Sequence, residues 1–400
     1  MAHPAAATVE KPYVHDRIVH DADAHIMETP DMLAAHVERR FHDQVAALDP
    51  FRAVPGYEGR MAQVLANHKD PAWRAEEAAQ ILLRKNWEAT GSFLKEDRPR
   101  ALDLLGFRSQ LVFNTMLSGF ISDAEHGPDI DFAYALAEGH NRAMAEFCAV
   151  DARLLPSLYV PLADLARTKE FTRRAIEMGA AALLIPSRCP RGHSPSHIAL
   201  DTLWAQAQEA GIPIVFHVGG GGPLLSPDYF NNGLPAVPDF HGGAENFRSV
   251  DYMAIPYPPM QTLATLILDR VMDRFPRLKF GVIEQGASWL PGWMRSLDSA
   301  HAAFYRNEER LQKMSLRPSE FVRRQIRVTP YPHEDTGWII AQAGEEVALF
   351  SSDFPHVEGG RNPMKRFGDA LRDTPAAAQQ RFYCDNFIDL MGQGLPAAVR

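Results

Sequence analysis

Pro213-Ile-Val-Phe-His217, followed by Val218 and the run Gly219-Gly-Gly-Gly222, is a short apolar stretch. It ends on one polar side chain exactly where glycines let the chain turn away. A nearly continuous apolar run of this length reads as a strand buried on both faces, as in a parallel sheet. The helical stretch before it, residues 196–210, begins with a Ser cap and stops at Gly211. The same unit recurs outward in both directions. Candidate strands fall at 17–21, 110–114, 155–160, 181–186, 213–217, 278–284, 325–329 and 347–351. Helical sequence follows most of them, notably at 131–150, at 165–178 before Gly179, and at 259–275 before Pro276. Strands alternating with helices predict an α/β fold, a (β/α)8 TIM barrel. A doubly wound open sheet is the rival, but it calls for a glycine-rich turn after the first strand, and 21–28 has none.

Two stretches break the repeat. Residues 31–105 form a charged helical insertion after strand one, with its clearest helix at 73–87. Residues 219–258 form a loop insertion after strand five, rich in Gly, Pro, Asn and aromatics. Long connections of this kind are usually functional. In a barrel both emerge at the face that carries catalysis, so 31–105 is expected to cover the mouth of a single domain spanning 1–400.

The chain has 400 residues, 46 % of them hydrophobic, and a net charge of −9. That balance disfavours nucleic acid and anionic membrane as partners and leaves room for an anionic small molecule. Three cysteines without a CxxC spacing give neither a disulfide framework nor a thiolate zinc knuckle. The start of the chain has no signal-peptide core and no run is long enough to span a membrane, so a cytoplasmic protein is expected. The serine-hydrolase elbow and the phosphate loop of P-loop NTPases are both absent.

The chemistry gathers at the strand ends. In Asp21-Ala-Asp23-Ala-His25, residues two apart share a face, so Asp23 and His25 point the same way. Carboxylate plus imidazole suits Zn, Fe or Mn. His217 ends strand five. Asp353 follows strand eight in Phe350-Ser-Ser-Asp353-Phe-Pro-His356. An acid leaving a buried strand is costly unless it is paired or metal-bound. Glu284 ends strand six before Gly286 and is a candidate general base or ligand to a second ion. Arg188, after strand four, is a candidate anion clamp. His241 and His356 are further candidates for the base or second-ion role and, with Trp289, for substrate binding, and Tyr229, Phe230, Phe240, Phe247, Tyr257 and Trp293 suggest an aromatic pocket.

Asp23-Ala-His25 with Glu28-Thr-Pro, Phe216-His217, the segment from Leu278 through Glu284-Gln-Gly286 to Pro291, and Ser352-Asp353-Phe-Pro-His356 together resemble the amidohydrolase superfamily. The resemblance is to the branch that contains aminocarboxymuconate-semialdehyde and γ-resorcylate decarboxylases. It implies Asp23, His25, His217 and Asp353 as ligands of one or two divalent ions, zinc first, then iron or manganese. It also implies that Asp353 handles a proton of metal-bound water, and that the chain forms a homo-oligomer. The apolar residues of 381–391 fit the last expectation. Two departures matter: Asp23 stands where the decarboxylases typically have His, and Glu284 stands where they carry a catalytic His. The expected activity is therefore hydrolysis of a small ester, amide or thioester by metal-activated water. Non-oxidative decarboxylation of an aromatic or enoic acid is the alternative, and a dinuclear iron oxygenase the second alternative.

Overall fold

The structure, a computed structural model, describes residues 12–48, 57–235 and 248–400. Its centre is one parallel sheet of seven strands in sequence order. These are β1 His20–His25, β2 Ser109–Phe113, β3 Leu154–Tyr159, β4 Ala182–Leu184, β5 Ile214–His217, β6 Phe280–Ile283 and β7 Ile326–Val328. Almost every strand residue is buried, as the apolar runs predict. Helices Ile130–Cys148, Leu165–Glu177 and Asp201–Ala210 lie between successive strands near their expected places.

The eighth expected strand is not a strand. Residues 347–354 make two isolated bridges, Ala348 with Val328 and Phe354 with Ala24. Backbone bonds nevertheless run to both ends of the sheet. On the β7 side, Leu349 N–H donates to Val328 O (2.9 Å) and Val328 N–H to Val347 O (2.8 Å). On the β1 side, Ala22 N–H donates to Phe350 O (3.0 Å), Asp353 N–H to Asp23 O (2.9 Å) and His25 N–H to Phe354 O (2.7 Å). A side chain takes over part of the ladder. Asp21 Oδ1 accepts Ser352 N–H (2.8 Å), and Asp21 Oδ2 accepts Ser352 Oγ–H (2.6 Å) and a Gln110 Nε2 proton (2.8 Å).

The first strand lies later than 17–21, and for the same reason. Its polar residues looked like a strand end, but His20, Asp21, Asp23 and His25 are all buried and paired. The expected helix at 73–87 is instead two short helices, Pro71–Ala75 and Glu77–Gln80, and a 3-10 turn, Asn86–Glu88. Asn86 adopts φ +53°, which a continuous helix forbids. The helix expected at 259–275 starts earlier, Tyr257–Leu268, and breaks before Val271–Arg274 at Arg270, with φ +65°. Part of the insertion 31–105 is tied to the end of β1. Met27 N–H donates to Ser92 O (2.8 Å), Trp87 Nε1–H to Glu28 O (3.2 Å) and Arg98 Nη1–H to His25 O (2.8 Å).

Phe382, Phe387, Leu390 and Met391 are buried in the chain's own core, so 381–391 gives no support to an oligomer. His20 stacks on Phe387 there, with ring centroids 5.1 Å apart.

Glu125, on helix Leu117–His126, holds the chain after β3. It accepts Leu162 N–H (2.6 Å), Ala163 N–H (3.0 Å) and the Tyr159 hydroxyl proton (2.8 Å). Burial pushes its carboxyl up to about 7 despite these bonds. A native pKa above the unfolded value of 4.5 means the native state binds more protons between the two. Its contribution to stability is therefore full below about pH 4.5 and is lost as pH rises through about 7. Urea midpoints at pH 5 and pH 8 are expected to show that fall in the wild type and a smaller fall in Glu125→Gln. Equal falls would remove Glu125 as its source.

Candidate metal centre

β1 and β5 deliver Asp23, His25 and His217, and the turns after β6 and residue 350 deliver Glu284, Asp353 and His356. Asp23, His25, His217 and Glu284 place one ligand atom each within 4.8 Å of one another, and so do His25, Glu284, Asp353 and His356. The contacts are short. His25 Nε2 lies 3.1 Å from Asp23 Oδ1, 3.4 Å from Asp353 Oδ1 and 3.8 Å from Glu284 Oε2. His217 Nε2 lies 3.1 Å from Glu284 Oε2 and 3.3 Å from Asp23 Oδ1. Ligand atoms around one divalent ion stand roughly 3–4 Å apart, given metal–ligand bonds of about 2.1 Å.

The backbone orients both imidazoles as ligand donors. His25 Nδ1–H donates to Asn114 O (2.8 Å) and His217 Nδ1–H to Val218 O (3.0 Å), which turns both Nε2 atoms inward. Burial, helped by His356, pushes His25 down to about 3. Burial alone would raise Asp23, but His217 and His25 hold its carboxyl below the carboxylate range. Burial pushes Asp353 up to about 6, with His356 opposing. His25 Nε2 and Asp353 Oδ1 are buried without a well-aligned hydrogen bond, although charged groups surround them. Three carboxylates packed around two such imidazoles fit a divalent cation, which would satisfy those atoms.

Backbone strain marks the same two turns. Glu284 and Asp353 adopt φ +54° and +52°, rare for residues with a side chain. Around Glu284 the turn is locked: its N–H donates to Thr329 Oγ1 (2.8 Å) and its carbonyl accepts the Tyr331 hydroxyl proton (2.8 Å). Gly286 adopts φ +66°, which disfavours a side chain, and a Cβ there would lie 3.0 Å from the Tyr331 ring, a tight contact.

A cavity of about 810 Å³ opens beside the cluster, lined by Glu284, Arg248, Tyr252, Met253, Tyr331 and His333. The rings of Tyr331 and His333 stack at 5.6 Å, and Tyr252 lies 5.3 Å from Tyr331. Arg248 stacks on Phe230 and binds Asp251 through Nε (3.0 Å).

His356 joins the cluster itself, with Nδ1 3.0 Å from Asp353 Oδ1 and Nε2 2.9 Å from Thr115 Oγ1. Arg188 does not join it, and lines a second cavity beyond the glycine run. Trp289 closes its own turn, donating to Gly286 O (2.9 Å) and packing edge-on against Trp293. Tyr229 and Tyr257 are exposed. His241, Phe240 and Phe247 lie outside the described residues. Asn114, Thr115, Arg248 and Tyr331 went unread in the sequence. Tyr331, just past strand seven, was legible by position, since polar residues at strand ends of a barrel are candidates for function.

The sequence profile of the amidohydrolase family matches residues 21–390. No curated protein matches the chain. Among solved structures, an amidohydrolase from Mycobacterium avium subsp. paratuberculosis K-10 is similar with TM-score 0.70 at 22% identity, covering 94% of this chain and 100% of its own. The manganese complex of 5-carboxyvanillate decarboxylase from Novosphingobium aromaticivorans is similar with TM-score 0.62 at 18% identity, over 96% of this chain and 98% of its own. A manganese-bound dihydroxybenzoic acid decarboxylase from Polaromonas sp. JS666 is similar with TM-score 0.58 at 14% identity, over 94% and 97%. At these identities the likenesses show a shared fold. With the profile matching nearly the whole sequence, the chain belongs to the amidohydrolase family.

Proposed function

We infer that this protein is a metal-dependent decarboxylase of an aromatic or enoic carboxylic acid. The observation that carries this reading is the placing of the Asp23–His25–His217–Glu284 cluster against the aromatic cavity of Tyr252, Tyr331 and His333, with Arg248 on its wall. The shared fold with two manganese-bearing decarboxylases supports it. Asp23, His25, His217 and Asp353 would hold a divalent ion, with Glu284 a candidate base or further ligand, and manganese stands with zinc and iron as the candidate metal. The bound ion supplies an electrophile for a substrate oxygen. Arg248 offers the substrate carboxylate a cation, and the aromatic walls hold a ring. Burial lifts the Asp353 carboxyl to about 6 and His356 Nδ1 lies 3.0 Å from its Oδ1, so this pair is placed to pass a proton to the carbon that loses carbon dioxide.

Hydrolysis, the first expectation, becomes the second reading. Glu284 favours it, a carboxylate in contact with His217 where the resemblance calls for His. The two overlapping residue sets, sharing His25 and Glu284, leave the two-ion reading and its iron oxygenase variant in third place.

The same reading takes the fold as a closed (β/α)8 barrel of one domain. The bonds of 347–354 to both β7 and β1 support closure, and those of Ser92, Trp87 and Arg98 support an insertion lying over the mouth. Among the described residues no helix is long and apolar enough to cross a membrane.

Protein reconstituted with Mn²⁺ or Zn²⁺ and offered hydroxybenzoic and enoic acids is expected to release carbon dioxide, and to lose that activity on chelation. Turnover of esters or thioesters alone would instead establish the second reading.

A further inference from the structure

The glycine run after His217 does more than end a strand. Arg188 N–H donates to Gly220 O (3.1 Å), and the Arg188 side chain lies flat on Gly222. A Cβ at Gly222, φ +68°, would come within 2.6 Å of Arg188 Cδ and 2.9 Å of its Nε. The turn that leaves the candidate ligand His217 is thus also the bed of Arg188.

Arg188 faces a cavity of about 830 Å³, lined also by Ser187, Arg191, His126, Gln261 and Thr265. Among its described lining residues there is no carboxylate, in a chain of net charge −9. Arg188 Nη1 reaches Asp123 Oδ1 only at 3.3 Å, and that acid is 67% exposed, a pairing that water weakens. Arg191 Nη1–H donates to Gly127 O (3.1 Å). Ser187 Oγ is buried with no hydrogen-bond partner. Two guanidinium groups and an unmet hydroxyl, in a lining without a carboxylate, make a site for a multiply charged oxyanion.

This cavity neighbours the one at the cluster through shared lining residues. Gly221 and Leu224 are shared with an intermediate cavity of about 380 Å³, which shares Val218 and Arg248 with the cavity that holds Glu284.

We propose that the Arg188–Arg191 cavity is an anion subsite that binds a phosphate or carboxylate group carried on the far end of an extended ligand. Only the extension towards the cluster rests on the function inferred above; the anion site stands on its own residues.

Titration calorimetry with inorganic pyrophosphate and, separately, tricarballylate tests it on the purified protein. One or both probes are expected to bind, and Arg188→Met and Gly222→Ala are expected to weaken that binding about tenfold or more. Arg372→Met, an exposed arginine elsewhere, should bind as wild type. Pyrophosphate alone responding assigns a phosphate, tricarballylate alone a carboxylate, and both an oxyanion site of broad choice. Binding lost in His217→Ala but kept in Arg188→Met would place the anion at the metal centre and overturn the subsite. Binding of neither probe, or equal binding in Arg188→Met, Gly222→Ala and wild type, would overturn it too. Thermal melts of the variants show that they remain folded. A failed search for decarboxylase activity would leave these binding results standing, so the two readings fail separately.

Discussion

His217→Ala is expected to strip the protein of metal and of turnover while leaving it folded. His217 contributes one nitrogen to a cluster in which Asp23, His25 and Glu284 supply the rest. Losing an outer-shell partner of a ligand already costs about 10–100-fold in affinity, and losing the ligand itself should cost at least that. The imidazole also separates two acids, at 3.3 Å from Asp23 and 3.1 Å from Glu284. Without it those carboxylates face each other across a gap that only a cation or water can fill. The fold should survive, because β5 is held by its ladder to β4 and β6, and the Phe113 ring that stacks on His217 stays rooted in β2. Elemental analysis, turnover and a thermal melt on the same sample decide the matter. Full metal and full turnover in a folded His217→Ala would remove the centre as drawn, and Asp353→Ala should behave as His217→Ala does.

Much of this centre was legible because strand ends advertise themselves. An apolar run closing on His217 and a glycine turn, or on Ser-Ser-Asp353, has one plausible place for its polar residue. β1 was harder. Its residues His20, Asp21, Asp23 and His25 have the polarity of a loop, and only their partners make them a strand. Those partners, Gln110 and Ser352, lie far along the chain, so no local pattern reveals them. The missing eighth strand is the other side of the same bond: Asp21 takes the Ser352 N–H that a ladder would have used. His356 was read as a candidate base, second-ion ligand or substrate contact, and it sits beside Asp353 in the cluster because the turn at Asp353, φ +52°, folds the chain back on itself. A positive φ at a residue with a side chain leaves no mark in a sequence. The same holds for Glu284, whose turn depends on Thr329 and Tyr331 from the next strand. Arg188 was read as a candidate anion clamp, but neither its bed on Gly222 nor its place in a second cavity leaves a mark in the local sequence.

Glu284→Gln is expected to separate the chemistries that the centre could run. The amide keeps the size of the side chain and removes its charge and its basicity. If Glu284 takes a proton from attacking water, as hydrolysis requires, the variant should lose roughly 10²–10⁴-fold in turnover and keep its metal. If Glu284 ligates a second ion, metal content should fall from two towards one per chain. If decarboxylation runs on Asp353 and His356 alone, the charge of Glu284 serves only to hold His217, 3.1 Å from Oε2, and decarboxylation should change little. The geometry gives each outcome a distinct source. Glu284 Oε2 is 3.8 Å from His25 Nε2 as well, so it stands between the two candidate ion positions. Its strained backbone, fixed at both N–H and C=O, means that substitution alters the side chain's chemistry without freeing the turn. Measuring metal stoichiometry, carbon dioxide release and ester hydrolysis on one preparation distinguishes the three. A variant unchanged in metal and in carbon dioxide release supports the decarboxylase reading. A large loss of hydrolysis at constant metal would restore hydrolysis to first place.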